Sequence, residues 1–463
     1  MDVKGKRVLV VGLGKSGIAS ALFLADRGAR VAVSDTKSAE ELHHEIPLLL
    51  DHGIVVEAGY HGERTFKEQE LIVISPGVPA DVPQLLQARQ AGIPVIGEVE
   101  LASCYLKGHI VAITGSNGKT TTTTLAGEII EASGRDTLVG GNIGTPAISF
   151  VESATDDTWI VLEVSSFQLE TIEKFHPKIA VVLNVTPDHL DRHHTFANYA
   201  AAKVRIFENQ TSRDFAVLNA DDDNCIAMAD KTKAAVYWFS RQRAVENGAF
   251  VGGDNVIWRD ADSDQTIMPV SEISLKGAHN VENVLAGVCA GMLAGVNPAD
   301  IRRAVMNFKA VEHRLEYVAT IRGVQYYNDS KATNVDATIK ALESFPGGIH
   351  LILGGKDKGS DYSVLNPLLE KRVKRVYTIG SAASKIESQV KGTQVVSAGT
   401  IDNAVRRASE SATPGDTVLL APACASFDQF VSYEHRGRVF KDLVKQMEAR
   451  DVQPAGSRAG GKE

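Results

Sequence analysis

Cysteine is scarce in this chain and never closely paired. The four thiols among 463 residues, Cys104, Cys225, Cys289 and Cys424, lie far apart with no CxxC spacing. That argues against a disulfide framework or a zinc site and fits a reducing compartment. No apolar run reaches the length of a membrane span, and MDVKGKR leads straight into a strand-like run without a signal-peptide pattern. A cytoplasmic chain with no membrane partner is therefore expected. Basic charge is in deficit too, with 49 Lys and Arg against 57 Asp and Glu, so no broad nucleic-acid surface is expected. No fixed-period repeat is visible.

What is present is an ordinary globular composition, 44% hydrophobic and 23% charged. Its length suggests about three domains of ~150 residues. Three short Val/Ile/Leu runs, RVLVV (7–11), HIVAIT (109–114) and HLIL (350–353), each end in a glycine turn followed by a helical pattern. Such runs predict parallel strands buried on both faces, with ligands beyond their carboxyl ends. One turn per third of the chain predicts domains at 1–107, 108–311 and 312–453. The Gly/Ser/charge-rich tail at 454–463 is expected to be disordered.

The first turn, Gly12-Leu-Gly-Lys-Ser-Gly17, fits GxGxxG, and the next strand ends in Asp35. Glycines let a backbone approach a diphosphate at a helix N-terminus, and an acid accepts from a ribose. That suits a nicotinamide dinucleotide, another nucleotide diphosphate such as a UDP-sugar, or no ligand at all. SPGVP (75–79) closes another strand on the same side.

The second turn is more specific. GSNGKTT (115–121) is a phosphate loop shortened to GxxGKT, in the strand–loop–helix setting such loops need. Backbone N–H groups there would cradle phosphate oxygens, Lys119 would neutralise their charge, and Thr120 would ligate Mg2+. Glu163 interrupts the apolar strand 159–164. A buried carboxylate needs an ion pair or a metal, and a metal is the favoured reading. In TPDHLDRHH (186–194) the spacing does not suit zinc, and His189 is the one ligand candidate.

GSNGKTT, GGNIG (140–144), LEVSSFQLE (162–170), NVTPDHLDRH (184–193) and AAKVRIFEN (201–209) together resemble the Mur ligase family. HNVEN (279–283), EHRLE (312–316), YNDSKATN (327–334), GGKDKG (354–359) and PACASFDQF (422–430) extend the resemblance over nearly the whole chain. It implies an α/β fold of three domains: a Rossmann-like N-terminal domain, a central P-loop ATPase domain with a mostly parallel sheet, and a Rossmann-like C-terminal domain. It also implies ATP-dependent addition of an amino acid to a UDP-linked muramoyl precursor of bacterial cell wall. YNDSKATN and PACASFDQF are similar to members that add D-glutamate to UDP-N-acetylmuramoyl-L-alanine.

Carried over by residue, the resemblance puts ATP on Gly115, Ser116, Asn117, Gly118, Lys119, Thr120, Thr121, Asn283, Arg314, Asp329 and Lys331. It puts the UDP-substrate on Gly14, Lys15, Ser16, Gly17, Asp35, Thr36, Gly77, Asn142 and His189. D-Glutamate falls to Thr333, Lys358, Ser426 and Tyr433, the last of which is Phe in relatives. Two Mg2+ ions are implied, near Thr120, Glu163, His189 and a carbamylated Lys203. Lys119, Glu163, His189 and Lys203 are the implied catalytic set. A lone lysine is more commonly an unmodified helix-surface residue. A monomer is expected, with closure about a hinge at Ala310–Glu312. Rival readings are an oxidoreductase built on the first turn, another ligase of the same superfamily, and an ATP-dependent binding module.

Overall fold

The computed structural model describes residues 1–452 apart from 262, 276, 310 and 311. Ala310 and Val311 of the expected hinge, and the tail at 454–463, lie outside the described residues. The architecture is the expected three-sheet α/β fold, and the chain divides into two compact units.

The first unit comprises residues 1–185, 195–274 and 281–308. Its N-terminal sheet contains β1 (Arg7–Val11), β2 (Arg30–Asp35), β3 (Val55–Ala58), β4 (Leu71–Ile74) and β5 (Val95–Gly97). All pair in parallel in the order β3-β2-β1-β4-β5. Val8 to Val11 are fully buried, which explains why this run has no polar alternation. Strand order reverses between β1 and β4, leaving a crevice at their carboxyl ends. Both SPGVP and the GxGxxG turn emerge there.

The same unit holds a sheet of β6 (His109–Thr114), β7 (Thr137–Gly141), β8 (Trp159–Glu163), β9 (Ile179–Val182), β10 (Phe215–Asn219), β11 (Ala235–Ser240), β12 (Gly248–Gly252), β13 (Asn255–Asp260) and β14 (Ser263–Pro269). Its order is β14-β13-β12-β11-β10-β9-β6-β8-β7, parallel as far as β12 and antiparallel through β13 and β14. β6 therefore runs between β8 and β9, and the loops after all three converge. Two buried carboxylates on helix Glu98–Ser103 fasten the sheets together. Glu98 accepts the Ile148 N–H at 2.7 Å, and Glu100 accepts the N–H groups of Glu173, Lys174 and Phe175 at 2.8 to 3.0 Å.

The second unit comprises residues 186–194, 275–280 and the chain from Lys309. Its sheet contains β15 (Glu316–Ile321), β16 (Val324–Asn328), β17 (Ile349–Gly354), β18 (Val373–Ile379), β19 (Gln394–Gly399) and β20 (Thr417–Leu420), in the order β15-β16-β20-β17-β18-β19. The β15–β16 hairpin is antiparallel, and the other pairings are parallel. Arg322 (φ 50°) and Gly323 (φ 77°) make its turn, both with the positive φ that a tight right-twisted hairpin requires. Helix Tyr433–Val452 packs on this sheet. Among the described residues, no helix is long and apolar enough to cross a membrane.

Candidate active site

The crevice of the N-terminal sheet is built from backbone. Helix Lys15–Asp26 starts directly after the β1 turn with Gly14 as its N-cap, so its first N–H groups point outward at the turn. Gly17 could carry no side chain, since a Cβ there would lie 1.8 Å from the Gly12 carbonyl. Asp35 is nearly buried, and its two oxygens accept the N–H groups of Leu13 (2.6 Å) and Lys37 (2.8 Å). It thus braces the turn, with a further lone pair on each oxygen available to a ribose. Gly14, Lys15, Thr36 and Gly77 are exposed and Ser16 is half-buried.

The shortened phosphate loop follows β6 and opens helix Lys119–Glu131, with Gly118 as its left-handed N-cap (φ 85°). A Cβ on Gly118 would lie 2.2 Å from Asn283 Oδ1, so Asn283 lies against the loop. Lys119 curls back to donate to the carbonyls of Gly115 and Ser116, both at 2.9 Å. Thr121 is buried.

Glu163 ends β8 in register with Ile113, one residue before the loop strand ends. It is 2% exposed. Its Oε2 accepts the Thr120 hydroxyl at 2.6 Å, and its Oε1 accepts the Asn142 amide at 2.9 Å. Among the described residues no cation pairs with it, so the ion-pair alternative finds no support. Two neutral donors leave the buried negative charge uncompensated, and a hard divalent cation next to Thr120 fits that donor set.

Lys203 is not a surface lysine. Helix Phe196–Val204 turns it inward to 1% exposure, where Nζ donates to the Gly115 carbonyl at 2.8 Å and lies 4.6 Å from the Tyr199 ring centre.

In the second unit, Asp329 is 1% exposed and accepts the Leu315 N–H at 3.2 Å. Lys331 donates to the Tyr433 hydroxyl at 3.4 Å. Thr333 is half-buried and Ser426 buried, while Lys358 forms an ion pair with Asp188 at 3.3 Å. His189 sits beside Asp188 (3.6 Å) with a left-handed backbone, φ 54°. Arg314 is half-buried in the EHRLE loop.

Comparison with known proteins decides what these parts belong to. Residues 6–97 match the Mur ligase MurD-like N-terminal domain, 113–291 the Mur ligase middle domain, and 313–424 the Mur ligase glutamate ligase domain. A UDP-N-acetylmuramoylalanine–D-glutamate ligase of Koribacter versatilis is 68% identical over 96% of this chain and 99% of its own. The chain belongs to the Mur ligase family. The equivalent enzyme of Acidobacterium capsulatum is 62% identical over 96% of this chain and 97% of its own. Among solved structures, a pseudomurein peptide ligase type C from Methanothermus fervidus shares the fold at TM-score 0.60 and 19% identity, covering 96% of this chain and 100% of that one. The UDP-N-acetylmuramate-alanine ligase of Thermotoga maritima does so at 0.59 and 18%, with 96% and 100% covered.

This Mur ligase braces its loop with residues that the motifs contain but do not explain. Asn184, just past β9, accepts the Asn117 N–H at 2.8 Å and donates to the Asn117 carbonyl at 3.1 Å. Tyr199 shares a hydrogen bond with Ser116 at 2.9 Å. In the other unit Asn334 donates to Asp188 at 3.0 Å and caps helix Val335–Glu343. The polar Asn at a strand end was a readable signal for Asn184. Tyr199 offered none.

Burial pushes the Asp329 carboxyl up to about 6, against the opposing pull of Arg314, the Leu315 N–H and Lys331. An acid whose folded pKa is raised binds its proton more tightly when folded. Stability therefore falls as pH rises from about 4, the unfolded value, to about 6, and the whole penalty persists above. Asp329→Asn keeps the acceptor for Leu315 and removes the charge. It is expected to be more stable than wild type at pH 7.5, on the order of 2 kcal/mol, with most of the gain gone at pH 4. Thermal melts of both proteins at the two pH values check this.

Proposed function

We propose that this chain uses ATP to join D-glutamate to UDP-N-acetylmuramoyl-L-alanine, a step in making peptidoglycan precursor. The observation that carries the reading is near-full-length identity to D-glutamate-adding ligases, on a chain whose buried Thr120–Glu163 pair lies at the mouth of a phosphate loop. The three parts would divide at 107/108 and 311/312, with a monomeric chain acting in the cytoplasm.

The UDP group would lie on the helix N-terminus at Gly14, Lys15, Ser16 and Gly17, beside Asp35, Thr36 and Gly77. Asn142 and His189 would meet the muramoyl part. ATP phosphates would take the N–H groups of residues 115–121, with Lys119 released from its own loop carbonyls to meet them. Asn283 would meet the adenine, and Arg314, Asp329 and Lys331 the ribose and phosphates. Thr120, Glu163, His189 and a carbamylated Lys203 would hold Mg2+, which when bound supplies charge neutralisation to oxygens that otherwise repel the attacking carboxylate. The buried position of Lys203 beside Gly115 supports that modification, since it places the side chain at the loop mouth and not in solvent.

In the reaction, the alanine carboxylate attacks the γ-phosphorus in line, giving an acyl phosphate and ADP. The free amine of D-glutamate attacks the acyl carbon and gives up a proton, and the tetrahedral adduct expels phosphate to leave the amide bond. The chain's own work is positioning and charge compensation. Thr333, Lys358, Ser426 and Tyr433 would hold the incoming amino acid. Lys358 faces a carboxylate, Asp188, which supports its exchanging or sharing that partner with a substrate carboxylate.

Phosphate release from ATP and UDP-N-acetylmuramoyl-L-alanine, measured over a panel of D- and L-amino acids, tests the assignment. Turnover restricted to D-glutamate is expected. Equal turnover with L-alanine or a diamino acid would move the chain to another ligase class, and nucleotide binding without phosphate release would make it a binding module. NAD(P)H binding would revive the oxidoreductase.

A further inference from the structure

The largest fully buried side chain of the described residues is a charged one, Arg436 on helix Tyr433–Val452. Among the described residues its guanidinium forms no ion pair with a carboxylate. Nε donates to the Ser330 hydroxyl at 3.0 Å, and Nη2 donates to the carbonyls of Ser330 (2.9 Å) and Cys424 (3.1 Å). Nη1 reaches the Ala425 carbonyl at 3.4 Å. Burial lowers its pKa to about 10, so the group is still a cation at neutral pH. Burying a cation among neutral acceptors is costly unless the geometry is well satisfied. A planar five-donor fork is the one side chain that can tie three carbonyls and a hydroxyl on separate segments.

Those segments matter. Ser330 lies between Asp329 and Lys331, three residues before Thr333. Cys424 and Ala425 lead directly into Ser426. The two loops follow the adjacent parallel strands β16 and β20. The same helix end returns a third contact, because the Ser330 hydroxyl donates to the Tyr433 carbonyl at 2.8 Å. One guanidinium therefore ties together the segments that carry Thr333, Ser426 and Tyr433, residues that the resemblance assigns to the amino acid. It also places a buried positive charge behind them.

We propose that Arg436 is the positioning residue of the amino-acid half-site, registering the 328–334 and 423–426 loops for a dicarboxylate substrate that it does not itself touch. This rests on the reading of the chain as a D-glutamate-adding ligase. The charge and the spacing would act together. Without the fork, the Ser330 and Cys424 carbonyls lose a donor in a dry interior, and the loops part. The residues that the resemblance assigns to the UDP-substrate lie elsewhere in the chain.

The test is steady-state kinetics of Arg436→Lys and, as a milder change, Ser330→Ala, which removes one acceptor of the fork. Arg436→Lys is expected to raise KM for D-glutamate at least about tenfold, the effect of an unsatisfied buried acceptor. KM for UDP-N-acetylmuramoyl-L-alanine should stay within about twofold, the range of surface effects. Ser330→Ala should move the same constant in the same direction by a smaller factor, and it decides the matter if Arg436→Lys does not fold. A KM for D-glutamate that is unmoved in the folded variants, or one that rises in step with the KM for the UDP-substrate, overturns the proposal. If wild type itself fails to use D-glutamate, the functional reading is what fails. If wild type succeeds and the split does not appear, the positioning role alone fails.

Discussion

Lys119→Ala is expected to lower turnover at least about a thousandfold, as removal of a charge aimed at developing anionic oxygen does, and to leave the fold intact. The reaction brings a carboxylate onto a triphosphate, and each must lose its repulsion for the other before they meet. Lys119 opens the helix that follows the loop, where its ammonium adds charge to what the free N–H groups of the first turn can offer. In this structure its ammonium rests on the carbonyls of Gly115 and Ser116, and phosphate oxygens would draw it away from them. The loop itself does not depend on that contact. Asn184 holds Asn117 from both sides, the Ser116 N–H reaches the Asn184 carbonyl at 2.9 Å, and Tyr199 holds the Ser116 hydroxyl. Circular dichroism and thermal melting should therefore match wild type while ADP formation is lost. Ligation at the wild-type rate would remove Lys119 from the chemistry.

The parts that were legible in the sequence are those carried by local pattern. Parallel strands announce themselves as unbroken Val/Ile/Leu runs because both faces are buried. The glycines that end β1, β6 and β17 follow from the need for tight turns at strand ends. Glu163 was readable because a carboxylate in an otherwise apolar strand demands a reason. What stayed hidden is what joins distant segments. The bracing of Asn117 by Asn184 spans 67 residues, and the pairing of Lys358 with Asp188 spans 170. Neither separation leaves a trace in local periodicity. The burial of Lys203 was hidden for a different reason. A short helix with small residues on several faces does not declare which face turns inward, so a surface lysine was the natural reading. Arg436 was hidden most deeply, since an arginine in a charged C-terminal helix reads as solvated, and only the carbonyls of three other residues make its burial tolerable.

Glu163→Gln is expected to separate stability from function in a way that identifies what the carboxylate is for. The substitution keeps the shape, an acceptor for one neighbour and a donor for the other, because the Thr120 hydroxyl can accept as well as donate. What it removes is a buried negative charge that no cation of the described residues balances. Were Glu163 half of a structural ion pair, its loss would strand a buried cation and cost about 3 to 5 kcal/mol. With no such partner, the unliganded variant should melt at the same temperature as wild type or higher. The loss should appear instead when nucleotide and Mg2+ are added. A ligand at one hundred times its Kd adds about 2.7 kcal/mol to the folded state. Wild type should gain a shift of that kind from Mg2+ with an ATP analogue, and Glu163→Gln should lose most of it, with turnover falling at least about a hundredfold. A variant that melts well below wild type without ligand, yet keeps the Mg2+-dependent shift, would show the carboxylate to be structural and would leave the metal to other residues. A buried charge that no cation of the described residues balances is what makes the measurement decisive. The same neutral replacement is expected to spare the empty protein and to weaken the loaded one.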